Sequence, residues 1–212
     1  ILPKMTIYAE EKNIDEQIKN YHKYSFIIAS LVSILTGILI VFANTYIFLW
    51  TKNLETTEII ANMARTLLLG GAFLALQYMP YHLAIAHGHT KTNIRLGIVM
   101  VVIISPLLYF SIKQFGLIGA TYPWLFINFI AFFYLGYFLT QKFLPNHYNK
   151  WFLNDTSFPI FVSLTILISF VFLFPNYTKW NILYNVFASI ILSSVILFID
   201  GLIFYKKYLQ KI

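Results

Sequence analysis

Arg65 sits inside a long apolar run, and the polar residues spaced around it carry most of the chemistry this sequence offers. Residues 57–86 read as one apolar helix. At 100° per residue, Glu58, Asn62, Arg65, Thr66, Gly70, Phe73, Gln77 and Tyr81 fall within roughly 160° of one another. Ile60, Ala64, Leu67, Leu68 and Ala75 take the opposite side, while Leu69 and Leu76 share the first, so the stripe is mixed. Arg65 lies ~12 Å along the helix from Thr57 at 1.5 Å per residue. An arginine at that depth in a bilayer costs about 2.5–3.5 kcal/mol on insertion scales. Three surroundings can accept it: a water-filled or substrate-facing groove, an interface reached by its long stem, or a structural bridge to another helix. The groove is the expectation. Asn128, midway along a later apolar run, could line it or hydrogen-bond to a neighbouring helix.

Other constellations offer less. His82, His87 and His89 cluster at the end of the same run, a pattern that raises metal ligation. No carboxylate or cysteine stands nearby to complete a ligand set, and a polar membrane boundary accounts for them. The sequence has no phosphate-cradling glycine loop, nucleophile elbow or HExxH. Of its eight acidic residues, half lie before residue 17, and no carboxylate pair within the apolar runs could flank a glycosidic bond. Zero cysteines exclude disulfides, thiolate metal sites and cysteine nucleophiles. Neither an enzyme nor a bound cofactor is expected.

The elements that must position these groups are membrane helices. Six runs, 24–50, 57–86, 94–112, 116–139, 158–174 and 180–205, approach the roughly 20 apolar residues that cross ~30 Å of hydrocarbon. Charged residues make up 11% of the chain and hydrophobic ones 59%, against about 25% charged in a soluble domain. The expected class is an all-α integral membrane protein with six transmembrane helices. With the N-terminus inside, Lys4, Lys12, Lys19, Lys23, Lys91, Arg95, Lys142, Lys150, Lys206, Lys207 and Lys211 fall on the inner side. Only Lys52, Lys113 and Lys179 fall outside. That bias places both ends in the cytoplasm. The net charge of +7 then meets anionic lipid headgroups, and no nucleic-acid partner is implied.

Along the chain, residues 1–23 are read as a cytoplasmic amphipathic linker, with Ile7, Ile14, Ile18 and Tyr21 at helical spacing. It either lies along the membrane interface or serves as a solvated connector. Residues 24–141 hold four transmembrane helices and 142–157 form a cytoplasmic loop, where Trp151 suits an interfacial anchor. Residues 158–212 form a terminal two-helix hairpin and tail, read as a possible accessory pair. Pro80 is expected to weaken or kink its helix. Pro106 and Pro123 are expected to shape theirs. The residues sharing one side of the last run (Asn185, Ser189, Ser193, Asp200) and of the first (Ser25, Ser33, Thr36, Gly37, Asn44) are read as helix-packing positions. The chain opens Ile1-Leu2-Pro3 without methionine or signal peptide, and a fragment of a longer polypeptide is the expectation.

Several motifs in order carry a family resemblance: YHLAIAHGHTK at 81–91, FGLIGATYPW at 115–124, Leu2-Pro3 before an acidic segment, Phe48-Leu49-Trp50-Thr51, and Phe143-Leu144-Pro145. Together they resemble the C-terminal part of bacterial polysaccharide flippases (O-antigen-type exporters) in the multidrug/oligosaccharidyl-lipid/polysaccharide exporter superfamily. Ala84 and Pro123 depart from the pattern. The resemblance implies the C-terminal part of a 12–14-helix, two-lobe transporter of the bacterial inner membrane, working by alternating access with an N-terminal lobe. Its cargo would be a lipid-linked glycan on undecaprenyl diphosphate. On that model Arg65 attracts the diphosphate, and Asn62, Thr66, Gln77 and Tyr81 contact water or sugar hydroxyls. The alternatives are a small-molecule cation antiporter of the same superfamily, for which the spans offer only Glu58 and Asp200, and a membrane glycan polymerase or acyltransferase.

Overall fold

A computed structural model describes residues 1–210, with the side chains of all of them except Thr92, Asn93, Arg95 and Leu96. Lys211 and the Arg95 side chain, both assigned to the inner face above, lie outside the described residues. Among the described residues the chain is helical throughout, without strands. Its α-helices are α1 (Leu2–Glu10), α2 (Ile14–Val41), α3 (Ala43–Thr51), α4 (Leu54–Leu76), α5 (Tyr78–Ala86), α6 (Thr90–Phe115), α7 (Tyr122–Phe143), α8 (Phe158–Leu173) and α9 (Ile182–Phe204). A 3-10 segment, Gly116–Thr121, joins α6 to α7, and a π-helical segment, Lys150–Ser157, leads into α8.

Among the described residues, five stretches are long and apolar enough to cross a membrane: Ile14–Val41, Leu54–Ala86, Gly97–Phe143, Lys150–Leu173 and Ile182–Leu209. The third and fourth expected runs share the one stretch of 47 residues, because the 3-10 segment bridges them without a loop, and α7 folds back along α6 there. Gly116, at φ 64°, ends α6. Met100 of α6 packs beside Ala131, Leu135 and Leu139 of α7. The outer faces of α8 and α9 present Phe161, Ile168, Phe172, Phe187, Ile191 and Phe198, each more than 60% exposed. Apolar surface of that extent suits lipid contact.

α2 is the hub. It packs on α4 on one side and on α8 and α9 on the other, while α4 also meets α7. The last pair is therefore built into the bundle rather than appended. Ile34, Ile38 and Phe42 of α2 form one core with Leu167, Phe170 and Ile196. Glycines permit the closest approaches. A Cβ at Gly37 would strike Leu167, one at Gly70 would strike Trp124, and one at Gly136 would lie 2.5 Å from the Trp151 ring.

The flanking segments differ from expectation. Residues 1–23 form two helices rather than one, with Ile7 and Ile14 of the expected stripe exposed and other residues packed inward. The chain turns at Glu11–Asn13 between α1 and α2, Asn13 caps Glu16 N–H, and Met5, Gln17, Tyr21 and His22 are buried. Trp151 is no interfacial anchor, being 1% exposed and packed on Phe132. With Trp151, Asp155 and Thr156 buried, the segment 150–157 is a packed element and not a loop.

Candidate functional site

The first expected span breaks at Phe42 without a glycine or proline. An unbroken helix would use the carbonyls of Ile40 and Val41 to accept from the N–H groups of Asn44 and Thr45. Instead Arg65 Nε donates to Ile40 O at 3.2 Å, and the Tyr177 hydroxyl donates to Val41 O at 3.2 Å. In a bilayer, carbonyls freed by a break must find protein donors, and these two side chains supply them. The guanidinium is also held by Asn44 Oδ1 at 2.8 Å and Asn62 Oδ1 at 2.9 Å. Arg65 thus bridges α4 to the α2–α3 break while staying partly exposed.

The polar stripe on α4 divides into three. Asn62, Arg65 and Thr66 form the first group, with the Thr66 hydroxyl donating to Asn62 O at 3.4 Å. Gln77 and Asn128 form the second, both buried where α4 ends against α7. Gln77 Nε2 donates to Phe73 O and Asn128 O, and Asn128 Nδ2 donates to Trp124 O. Tyr81 stands apart, 42% exposed, with its ring edge on His82. The α4–α5 break at Gln77 falls one turn before Pro80, as its missing N–H and ring demand.

The hollows show what surrounds these groups. One apolar hollow, about 520 Å3, lies between α2–α3 and α4 on the side away from the polar stripe, lined by Leu35, Leu39, Ala64, Leu67 and Leu68 among others. A second apolar hollow of about 440 Å3 lies between α2, Leu69 of α4 and α8. The polar hollow, about 410 Å3, opens at the end of the bundle far from both chain ends. Asn44, Thr45, Thr57, Glu58, Thr178, Trp180 and Asn185 line it. Asn44 joins that hollow to Arg65. Because a guanidinium has only donors, Asn44 must turn its oxygen to Arg65 and its amide nitrogen elsewhere.

At the opposite end, near both chain ends, lies a polar centre that the sequence reading missed. Asp155 is fully buried and pairs with three groups. His22 Nδ1 bonds its Oδ2, while Lys207 Nζ and the Tyr208 hydroxyl donate to its Oδ1 at 2.6 and 2.7 Å. His22 Nε2 meets His147 Nδ1 at 2.8 Å. The His22–Asp155 pair has the geometry of a base and its orienter. However, the imidazole is 1% exposed and its other nitrogen is occupied by a histidine, with no hydroxyl or thiol bonded to it. The cluster therefore works as a clasp joining α2, the π segment and the tail after α9. Burial, then His22 and Lys150, hold the His147 imidazole below its usual range, against a smaller upward pull from Asp155.

The three histidines at 82–89 do not converge. His82 Nδ1 bonds Tyr78 O, His87 stacks on Phe143 and reaches Gln17 Oε1 at 3.2 Å, and His89 meets Lys142. Among the described residues no group of three or more metal-ligating side chains forms. Compared with known proteins, the chain matches no family model, no curated protein and no solved structure.

Proposed function

We propose that this chain is part of a membrane exporter that carries a lipid-linked oligosaccharide between leaflets by alternating access. The observation that carries this reading is Arg65. Its guanidinium lies in a membrane-crossing helix, partly exposed, against three neutral oxygens and, among the described residues, no carboxylate. Such an uncompensated charge favours an anion, and a diphosphate joining lipid to sugar is an anion of the right placement. Apolar hollows on both sides of α2 and α4 suit a prenyl tail. The polar hollow beside Asn44 suits hydroxyls, which cannot enter hydrocarbon without replacing their water. Asn62 holds Arg65 directly, Thr66 bonds back to the Asn62 carbonyl, Gln77 and Asn128 hold α4 against α7, and Tyr81 is free to meet cargo at the other end of the stripe.

On this reading the chain works with an N-terminal lobe in the bacterial inner membrane, with both its ends cytoplasmic and no catalytic step. The test is where lipid-linked glycan accumulates in cells lacking the protein. Accumulation confined to the inner leaflet supports export. Accumulation on the outer leaflet points to a polymerase, and unchanged glycan lipids would end the reading.

A further inference from the structure

The contact between α2 and α9 holds a carboxyl, Asp200, that plays no part in the proposed export path. Asp200 is 2% exposed, and both its oxygens are shut off from solvent without a hydrogen-bond partner. It lines a cleft of about 170 Å3 with Ser30, Phe26, Ile27, Leu197 and Phe204. The Ser30 hydroxyl stands beside the carboxyl and is itself unpartnered. An ionised carboxylate enclosed this way, with neither a cation nor a donor bonded to it, carries a desolvation cost of several kcal/mol.

Charged neighbours are accounted for on every packed element. On α2, Lys23 lies two turns from Ser30 with its ammonium over the Phe204 ring at 5.8 Å. Beyond α9, Lys207 and Tyr208 are committed to Asp155. α8 has no titratable residue, and Tyr46 of α3 is bonded to Ser189 Oγ at 2.6 Å. One added proton resolves the conflict. It neutralises the carboxyl and makes an O–H that can donate to Ser30 Oγ. A sodium ion would find one carboxyl and one hydroxyl, too few oxygens to replace its water.

We propose that Asp200 is a membrane-embedded proton-binding site, closed against Ser30 when protonated and emptied when α9 moves off α2 and water reaches it. The O–H bond forms with a proton taken from water and breaks by returning it. This site stands whether or not the cargo is a glycan lipid.

Dicyclohexylcarbodiimide tests it on the whole protein in its membrane. The reagent is apolar, as is the cleft wall, and it reacts with the protonated acid. The acid proton goes to a carbodiimide nitrogen and the carboxylate oxygen adds to the central carbon, giving an isourea that rearranges to a stable acylurea. Peptide mass spectrometry should find the adduct on Asp200, falling about tenfold per pH unit above its midpoint, equal in sodium and choline chloride, and absent in Asp200→Asn. The wild-type pH profile needs no variant, so misfolding of Asp200→Asn would leave the test intact. No adduct on Asp200 at any pH, an adduct independent of pH, or protection by sodium would each overturn the proposal.

Discussion

Three residues take their roles from their partners. Arg65 is both a charge and a cap for the broken helix, and the two roles separate by substitution. Arg65→Ala leaves Ile40 O without its donor and should cost about 1–3 kcal/mol, read as a lower midpoint in thermal unfolding of the purified protein. Asp155→Ala strands Lys207 and His22 beside a buried gap and should cost about 3–5 kcal/mol by the same measurement. His147 gives a pH dependence. Its folded imidazole binds a proton less readily than the unfolded one, so the unfolded state gains protons first as pH falls. Stability from this group is complete above about pH 6.5 and is lost as pH drops through the lowered folded value. Thermal midpoints should decline over that acidic window, and His147→Phe should flatten the decline. None of the Asp155 cluster was legible beforehand, because His22, Asp155 and Lys207 lie 133 and 52 residues apart. The available signal was that Asp155 is the one acidic residue between Glu58 and Asp200.

At the scale of elements, apolar length located the membrane helices well and their interruptions poorly. The break at Gln77 was readable from Pro80, since proline acts through its own backbone. The break at Phe42 was not, because it is held by donors from α4 and from the turn before α9, neither local in sequence. Tyr177→Phe should therefore cost about 1 kcal/mol in the same unfolding assay, although the aromatic packing on Phe42 and Phe170 survives. The polar stripe is drawn on one continuous helix, whereas α4 ends at Leu76 and Tyr81 belongs to α5. It also crosses three neighbours along its length, so its members part company. The buried Trp151 follows a similar logic: a tryptophan near a membrane edge looks like an anchor until Gly136 opens a seat for it.

For the whole molecule, α2 between α4 and the α8–α9 pair predicts that the terminal pair is indispensable to the fold. Removing residues 158–212 exposes Ile34, Ile38 and Phe42 and deletes Lys207 and Tyr208 from the Asp155 clasp. The truncated protein should elute as an aggregate in size-exclusion chromatography, where an accessory pair would leave a monodisperse remainder. The direction in which the bundle faces the membrane is an expectation from charge alone, and contacts between helices carry no information on it.

The account turns on whether the charge of Arg65, and not merely its hydrogen bonds, moves an anionic cargo. Surface glycan should be measured at equal membrane expression for wild type, Arg65→Lys, which keeps the charge, and Arg65→Gln, which keeps donors but loses the charge. The account predicts substantial export with lysine and a loss of at least about tenfold with glutamine, matching about 1.4 kcal/mol or more of lost interaction with the anion. Export undiminished by glutamine would contradict it and leave Arg65 as the cap of a broken helix.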